Sequence, residues 1–233
     1  MRKFIVFVVL VVFSFLMMEK SQATSTDIYL GELGKQSELK SFLHLQSSRI
    51  LDNIIIVPRE NYDMKAAAGI ISRIDRLPTS LLQKINDQNI VIKLFTGKLT
   101  DNPTASHLKG KTPRGYTSGR TWDSVPGIGG SKTVLVKIGA SEKGNGHGSV
   151  NLELHELAHS IDRYVYHNLR SHPSYLKIWN EEKYELFPNQ TYFLSFPEEY
   201  FAESFAYYYM GGEYHAELKE KAPKTYELIK GLK

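Results

Sequence analysis

Cysteine is absent from the chain. That excludes disulfide staples, thiol nucleophiles and thiolate metal ligands, so a zinc site here must be built from histidine and carboxylate. A strong charge of one sign is lacking as well. The 29 Lys and Arg exceed the 25 Asp and Glu by only four, too weak a balance to argue for nucleic acid or an anionic membrane as partner. There is no internal repeat and no low-complexity segment. Beyond the first residues no apolar run approaches the ~20 residues that a membrane-spanning helix needs.

At the start of the chain, Arg2 and Lys3 form a short basic region, Phe4 to Met18 an apolar run, and Ser21-Gln22-Ala23 a small-x-small cleavage site. Residues 1–23 therefore read as a secretory signal peptide. A membrane anchor is the rival reading, but the run is shorter than a bilayer span. The mature protein is expected to start near Thr24, to be secreted to the extracellular space and to have no membrane contact after signal cleavage. It keeps 26 basic and 24 acidic residues once Arg2, Lys3, Lys20 and Glu19 are removed. Without disulfides it must be held by its core, and about two hundred residues suffice for that.

The remaining pattern is α+β: a small mixed sheet with an edge strand beside the active site, followed by a mainly helical C-terminal half. Residues 24–53 form a weakly patterned N-terminal extension that fits a pro-segment, a linker or a peripheral helix. Ile54 to Val57, closed by Pro58, reads as a buried strand. Helical spacing runs from Asp63 to Leu77 and again from Ser80 to Asn86. Strands are expected at Ile90 to Phe95 and Thr133 to Ile138. Between them, residues 97–131 are rich in Gly, Pro, Thr and Ser and read as a long loop region, and loops of that length in a compact domain are functional or disordered. Val150, Leu154, Leu157, Ile161 and Val165 recur at helical spacing, with Ser149 or Asn151 as cap. Further helices are expected at Pro173 to Leu186 and from Ser195, where Ser195-Phe196-Pro197-Glu198 fits a capping box. Gly211-Gly212 ends that helix, and two short helices close the chain, the last beginning after Pro223.

His155-Glu156-Leu157-Ala158-His159 is an H-E-x-x-H motif. Residues four apart share a helix face, so both imidazoles can reach one zinc ion. Glu156, beside them, can act as base toward water at that ion. A catalytic zinc needs a third protein ligand. Glu199 and Glu203 lie four apart on one helix, flanked by Ala202 and Ala206, which permit close helix packing. Glu199 then serves as ligand, and Glu203 as hydrogen-bond acceptor from a ligand histidine. Asp162 and His147 are rival third ligands. Tyr192, seven residues before Glu199, is placed to donate to an oxyanion. Tyr207-Tyr208-Tyr209 reads as packing within the helical half.

The block from Asn151 to Val165 (NLELHELAHSIDRYV), Tyr192, and the block from Phe196 to Tyr209 (FPEEYFAESFAYYY) together resemble the catalytic domain of anthrax lethal factor and its relatives. The stretches GKLTD (Gly97 to Asp101), LKG (Leu108 to Gly110), TWDSVPGIGGS (Thr121 to Ser131) and APKTY (Ala222 to Tyr226) are similar to the secreted Pro-Pro endopeptidase branch. The resemblance spans residues 54–233, which it implies are a zinc metalloprotease catalytic domain with one Zn2+ per chain. It implies His155, His159 and Glu199 as zinc ligands, Glu156 as general base and acid, and Tyr192 as the transition-state tyrosine. It also implies Trp122 and Glu198 as groove-lining residues, Arg120 as a basic residue at the groove, and residues 112–131 as a loop over the active site. The implied substrates are proline-rich extracellular proteins cleaved between two prolines by a monomeric enzyme. Consecutive prolines offer no N–H to an edge strand, so Trp122 would stack on a proline ring while Thr133 to Ile138 supplies edge-strand bonds on either side. A broad-specificity secreted metalloprotease and a non-catalytic, zinc-stabilised toxin-type binding module are the competing readings.

Overall fold

A computed structural model describes residues 27–114 and 119–233. The signal peptide expected at residues 1–23 and the mature start near Thr24 lie outside the described residues, as do residues 115–118 of the loop expected over the active site.

Among the described residues five strands form one mixed sheet. Asp27–Tyr29 (β1) pairs antiparallel with Ile55–Pro58 (β2), and Glu38–Ser41 (α1) and Ser48–Ile54 (α2) lie between them. Residues 27–54 thus add a strand and two helices to the fold, and Leu30, Leu39 and Leu51 are fully enclosed by it. Strand β2 pairs in parallel with Val91–Phe95 (β3) after a crossover through Met64–Ile74 (α3) and Thr79–Asp87 (α4). Asp63 caps α3 by accepting the Ala66 N–H at 2.9 Å, satisfying a donor that the helix itself leaves open. Ala67, Ile70, Ile71 and Ile74 on α3 then face the core, as the period of 3.6 requires.

The strand order is β1-β2-β3-β5-β4, where β4 is Gly127–Ile128 and β5 is Thr133–Lys137. This corrects one expectation. The strand at residues 133–138 is interior: β3 pairs with it in parallel on one side and β4 covers it antiparallel on the other. The edge beside the active site is therefore β4. The long segment 97–131 supplies it by folding back, the Pro126 carbonyl accepting the Lys137 N–H at 2.8 Å. Asp123 organises that segment by accepting from Thr100 Oγ1 (2.7 Å), Gly110 N (2.8 Å) and Thr121 Oγ1 (2.9 Å). Phe95, Leu99, Ala105, Val125 and Leu135 form a small second core beneath it, with Trp122 packed on top.

The rest of the chain is helical. Leu152–Ser160 (α5) starts at Asn151, whose side chain accepts the Leu154 N–H at 3.0 Å. It runs into one π turn at Ile161–Val165. Pro173–Leu186 (α6), Thr191–Ser195 (α7), Pro197–Met210 (α8), Gly212–Lys221 (α9) and Pro223–Lys230 (α10) follow. The capping box expected at Ser195 is not formed. Ser195 closes α7, the Phe196 N–H bonds the Tyr192 carbonyl at 3.1 Å, and α8 starts at Pro197 with Phe196 as an N-cap that makes no side-chain bond. Proline in that first turn replaces a donor that would have had no helical partner.

Tyr175, Phe187, Tyr200, Phe201 and Phe205 are fully buried between these helices. Tyr207 packs on Phe187 and Tyr214, Tyr208 on Tyr226, and Tyr209 on Phe205, so the tyrosine triplet is a packing element. Arg73 of α3 pairs with the wholly buried Glu153 of α5. Removing one partner of such a pair strands a buried charge, at about 3–5 kcal/mol. This pair fixes the helix that carries the H-E-x-x-H residues against the sheet layer.

Candidate active site

Helices α5 and α8 pack face to face, with Ala158, Ala202 and Ala206 fully buried between the elements. These small side chains bring the two backbones close, so the polar residues beside them meet. His155 Nε2 lies 3.2 Å from His159 Nε2 and 3.3 Å from Glu199 Oε2, and His159 Nε2 lies 3.4 Å from the same oxygen. Among the described residues His155, His159 and Glu199 are the one group of three side chains whose ligand atoms converge in this way. Ligands about 2.0–2.1 Å from a tetrahedral zinc are separated by roughly 3.3 Å, the edge of the tetrahedron. The three separations match that edge, so the donor set fits zinc in identity and in spacing.

The electrostatics also favour a cation there. Burial works against a charged His155 ring, but hydrogen bonds to Glu199 and Glu203 and the charges of Glu203 and Glu156 outweigh it and raise its pKa well above the usual value. Burial likewise pushes the Glu199 carboxyl up, yet His155 and His159 hold it well below the usual carboxylate range. Glu203, 2 % exposed, accepts from His155 Nδ1 at 2.9 Å and from the Val150 N–H at 2.9 Å. The first bond keeps a proton on Nδ1 and turns Nε2 toward Glu199 and His159, where it would serve as the metal-binding atom.

The rival ligands are elsewhere engaged. Asp162 is wholly buried in the π turn, where it accepts the Arg170 N–H at 2.8 Å and pairs with the Arg170 guanidinium. His147 bonds the Ala140 carbonyl through Nε2 at 2.7 Å. Neither joins the converging group.

A cavity of about 870 Å³ opens over these residues, and Glu156, Tyr192, Trp122 and Glu198 all line it. Tyr192 sits on the short helix α7. Although the residue is 38 % exposed, desolvation and the Glu199 carboxylate raise its phenol pKa, so the hydroxyl stays protonated and able to donate. Arg120 is not part of the lining. Its guanidinium bonds the Ser124 carbonyl at 3.3 Å, within the loop. The lining arginine that meets the converging carboxylates is Arg114, which reaches Glu198 at 2.8 Å and Glu199 at 3.3 Å and stacks 3.9 Å above the Phe196 ring. No local pattern singles out Arg114, because its partners lie more than eighty residues away.

The glycines of the edge have a steric cause. A Cβ at Gly129 would sit 1.9 Å from the Glu156 carbonyl oxygen, and one at Gly127 would meet Leu152 and Glu156 at 2.9 and 3.0 Å. Only glycine lets β4 and the residues after it lie directly on α5. The edge strand is thereby held beside the histidines.

Known proteins share this arrangement of sequence and fold. The family described as "Anthrax toxin lethal factor, N- and C-terminal domain" matches residues 44–232. The Pro-Pro endopeptidase of Clostridioides difficile (strain 630) is 41% identical over 188 residues, which are 80% of this chain and 84% of that protein. The Pro-Pro endopeptidase of Paenibacillus alvei is 37% identical over 190 residues, 81% of this chain and 87% of that protein. A solved structure of the Paenibacillus alvei enzyme has a TM-score of 0.74 at 37% identity, covering 79% of this chain and 100% of that one.

Proposed function

The chain belongs to the anthrax toxin lethal factor family, and from that membership we propose that it is a secreted, zinc-dependent Pro-Pro endopeptidase acting on proline-rich extracellular proteins. The relatives that bear the name Pro-Pro endopeptidase, each covered over most of its length, support the peptidase activity and the Pro-Pro bond as its target. The basic, apolar and small-residue layout of residues 1–23 supports export. The observation that carries the zinc reading is the 3.2–3.4 Å triangle of His155, His159 and Glu199 donor atoms.

His155, His159 and Glu199 would hold the ion, leaving the cavity side open. A zinc ion so held supplies Lewis-acid polarisation of the substrate carbonyl and makes water acidic enough to lose a proton near neutral pH. Glu156 takes a proton from the attacking water as its oxygen bonds the carbonyl carbon. Tyr192 donates its hydroxyl to the oxyanion that forms. Glu156 then returns the proton to the proline nitrogen as the C–N bond breaks, giving a carboxylic acid and a secondary amine. Trp122 offers an aromatic wall for a proline ring, and β4 supplies backbone bonds to residues on either side of the prolines.

Incubating the zinc-loaded mature chain with a peptide centred on Pro-Pro, and locating the cut by mass spectrometry, tests this reading. Cleavage between the prolines, lost in Glu156→Ala, supports it. Equal cleavage at unrelated bonds points to the broad metalloprotease, and zinc binding without cleavage of any peptide points to the binding module.

A further inference from the structure

The glycine edge crosses α5 lengthwise, and its two ends differ in chemistry. Gly127 lies over Leu152 and Glu156, with Trp122 and Val125 just before it in the cavity wall. Gly130 lies over the other end of α5. Its N–H donates to Ser160 Oγ at 3.0 Å, and its carbonyl accepts from Arg163 Nη1 at 2.9 Å. The first end is aromatic and the second cationic.

Among the described residues three arginines line the cavity, and two have carboxylate partners. Arg114 pairs with Glu198 and Glu199, and Arg170 with Asp162. Arg163 is exposed at the rim, and among the described residues it forms no ion pair. Its guanidinium is pinned by the Gly130 carbonyl and lies 5.4 Å from the Tyr164 ring centre. Lys132 Nζ lies 4.3 Å from the same ring, so a second cation stands at this end. A guanidinium offers five N–H donors in a fixed fork that suits a carboxylate. The bond to Gly130 orients the group while leaving donors for another acceptor.

Resting on the Pro-Pro reading of the cleft, we propose that Arg163 is a specificity residue. It selects substrates that carry an acidic side chain two or three residues from the scissile bond, on one side only. Only Gly127–Ile128 of this edge is strand, and Gly130 turns at a φ of 75°, so at up to about 3.3 Å per residue the three steps from Gly127 to Gly130 cover at most roughly 10 Å. A substrate strand along this edge, with its scissile bond at Glu156, therefore brings a side chain at that remove to Arg163. The contact is distant from the reacting atoms and acts equally before and during reaction, so it lowers KM and leaves kcat unchanged.

The experiment uses peptides centred on Pro-Pro with Asp, Gln or Lys at the second to fourth position on either side. The enzymes are the wild-type zinc-loaded chain, Arg163→Gln and Arg163→Glu. At one position the wild type should prefer Asp over Gln by about two- to fivefold in KM, as expected of a partly solvated ion pair, and disfavour Lys. The ranking should be flat for Arg163→Gln, reversed for Arg163→Glu, and lost at 1 M salt. All three enzymes should cut the Gln peptide alike. The same ranking in all three enzymes, or none in any, overturns the proposal. Slower cutting of the Gln and Asp peptides by one common factor in Arg163→Gln also overturns it, since it would assign Arg163 to holding the glycine edge. Ala-Ala peptides cut as fast as Pro-Pro ones, with the charge ranking intact, would overturn the Pro-Pro reading and leave the role of Arg163 standing.

Discussion

Glu203 of α8 ties that helix to α5 and the residues before it by one side chain: Oε2 accepts from His155 Nδ1 at 2.9 Å while Oε1 accepts from the Val150 N–H at 2.9 Å. Glu199, one turn earlier on α8, instead aims Oε2 at both histidine Nε2 atoms. Two glutamates four apart thus take different duties. Glu199→Ala should abolish or greatly weaken zinc binding. Glu203→Ala should weaken it by about 10–100-fold, the usual cost of losing the partner that orients a ligand histidine. Zinc titration against a competing chelator measures both. A Glu203→Ala protein that loses zinc completely beside a Glu199→Ala protein that keeps it would reverse the assignment.

Asp162 separates the same question from the other side. Its carboxylate is committed to Arg170 in the π turn. Asp162→Asn should lower stability while leaving one zinc per chain, as metal analysis and thermal unfolding together would report. Loss of zinc with an unchanged unfolding temperature would make Asp162 the third ligand.

Glu156 and Tyr192 are expected to act on the reaction and not on the metal. Glu156→Ala should keep zinc and fold and lose nearly all turnover. Tyr192→Phe should keep zinc and lower kcat more than it raises KM, because an oxyanion donor acts chiefly in the transition state. Unchanged kcat in Tyr192→Phe removes the residue from the mechanism.

Much of the site was legible in the sequence because it rests on short spacings. His155 to His159 and Glu199 to Glu203 are one helical turn each, and a turn has a fixed geometry. What was not legible depends on chain reversal. Nothing within a few residues of Arg114 reveals that it meets Glu198 and Glu199. The edge strand was assigned to residues 133–138 because their apolar run is strong, whereas the true edge, Gly127–Ile128, has only two residues and no β-propensity pattern. Its glycines are the residual signal, and they make sense only once α5 lies 1.9 Å from where a Cβ would be. The capping box at Ser195 failed for a local reason: the hydrogen bond from Phe196 to Tyr192 spends those residues on a separate short helix.

That steric contact yields its own prediction. Gly129→Ala should destabilise the fold by about 1–3 kcal/mol or more, since overpacking against backbone has little room to relax. It should also lower activity by pushing the edge off Glu156. Chemical denaturation and peptide turnover check it together. An alanine variant of wild-type stability would show that β4 does not lie on α5 as described.

Asp123 gives the groove wall a pH dependence. Hydrogen bonds from Thr100, the Gly110 N–H and Thr121 hold its carboxyl well below the usual carboxylate range. A depressed folded-state pKa stabilises above the unfolded value, near 3.9, and that contribution is lost as pH falls from there through the folded value. The stability of the wild type should therefore decline below about pH 4 more steeply than that of Asp123→Asn. Parallel curves for the two proteins would contradict this account of the loop.

The central claim concerns two prolines meeting a shaped groove beside a zinc site. Its direct measurement is a set of four quenched-fluorescent peptides identical but for Pro-Pro, Pro-Ala, Ala-Pro or Ala-Ala at the centre, each assayed with the zinc-loaded chain and with Trp122→Ala. Alanine after the scissile bond restores an N–H that the groove would desolvate without a partner. Pro-Pro should be cut fastest, and Trp122→Ala should cost at least about tenfold in kcat/KM on it, combining lost ring burial and aromatic contact. Equal rates across the four peptides, unaffected by Trp122→Ala, would contradict the account.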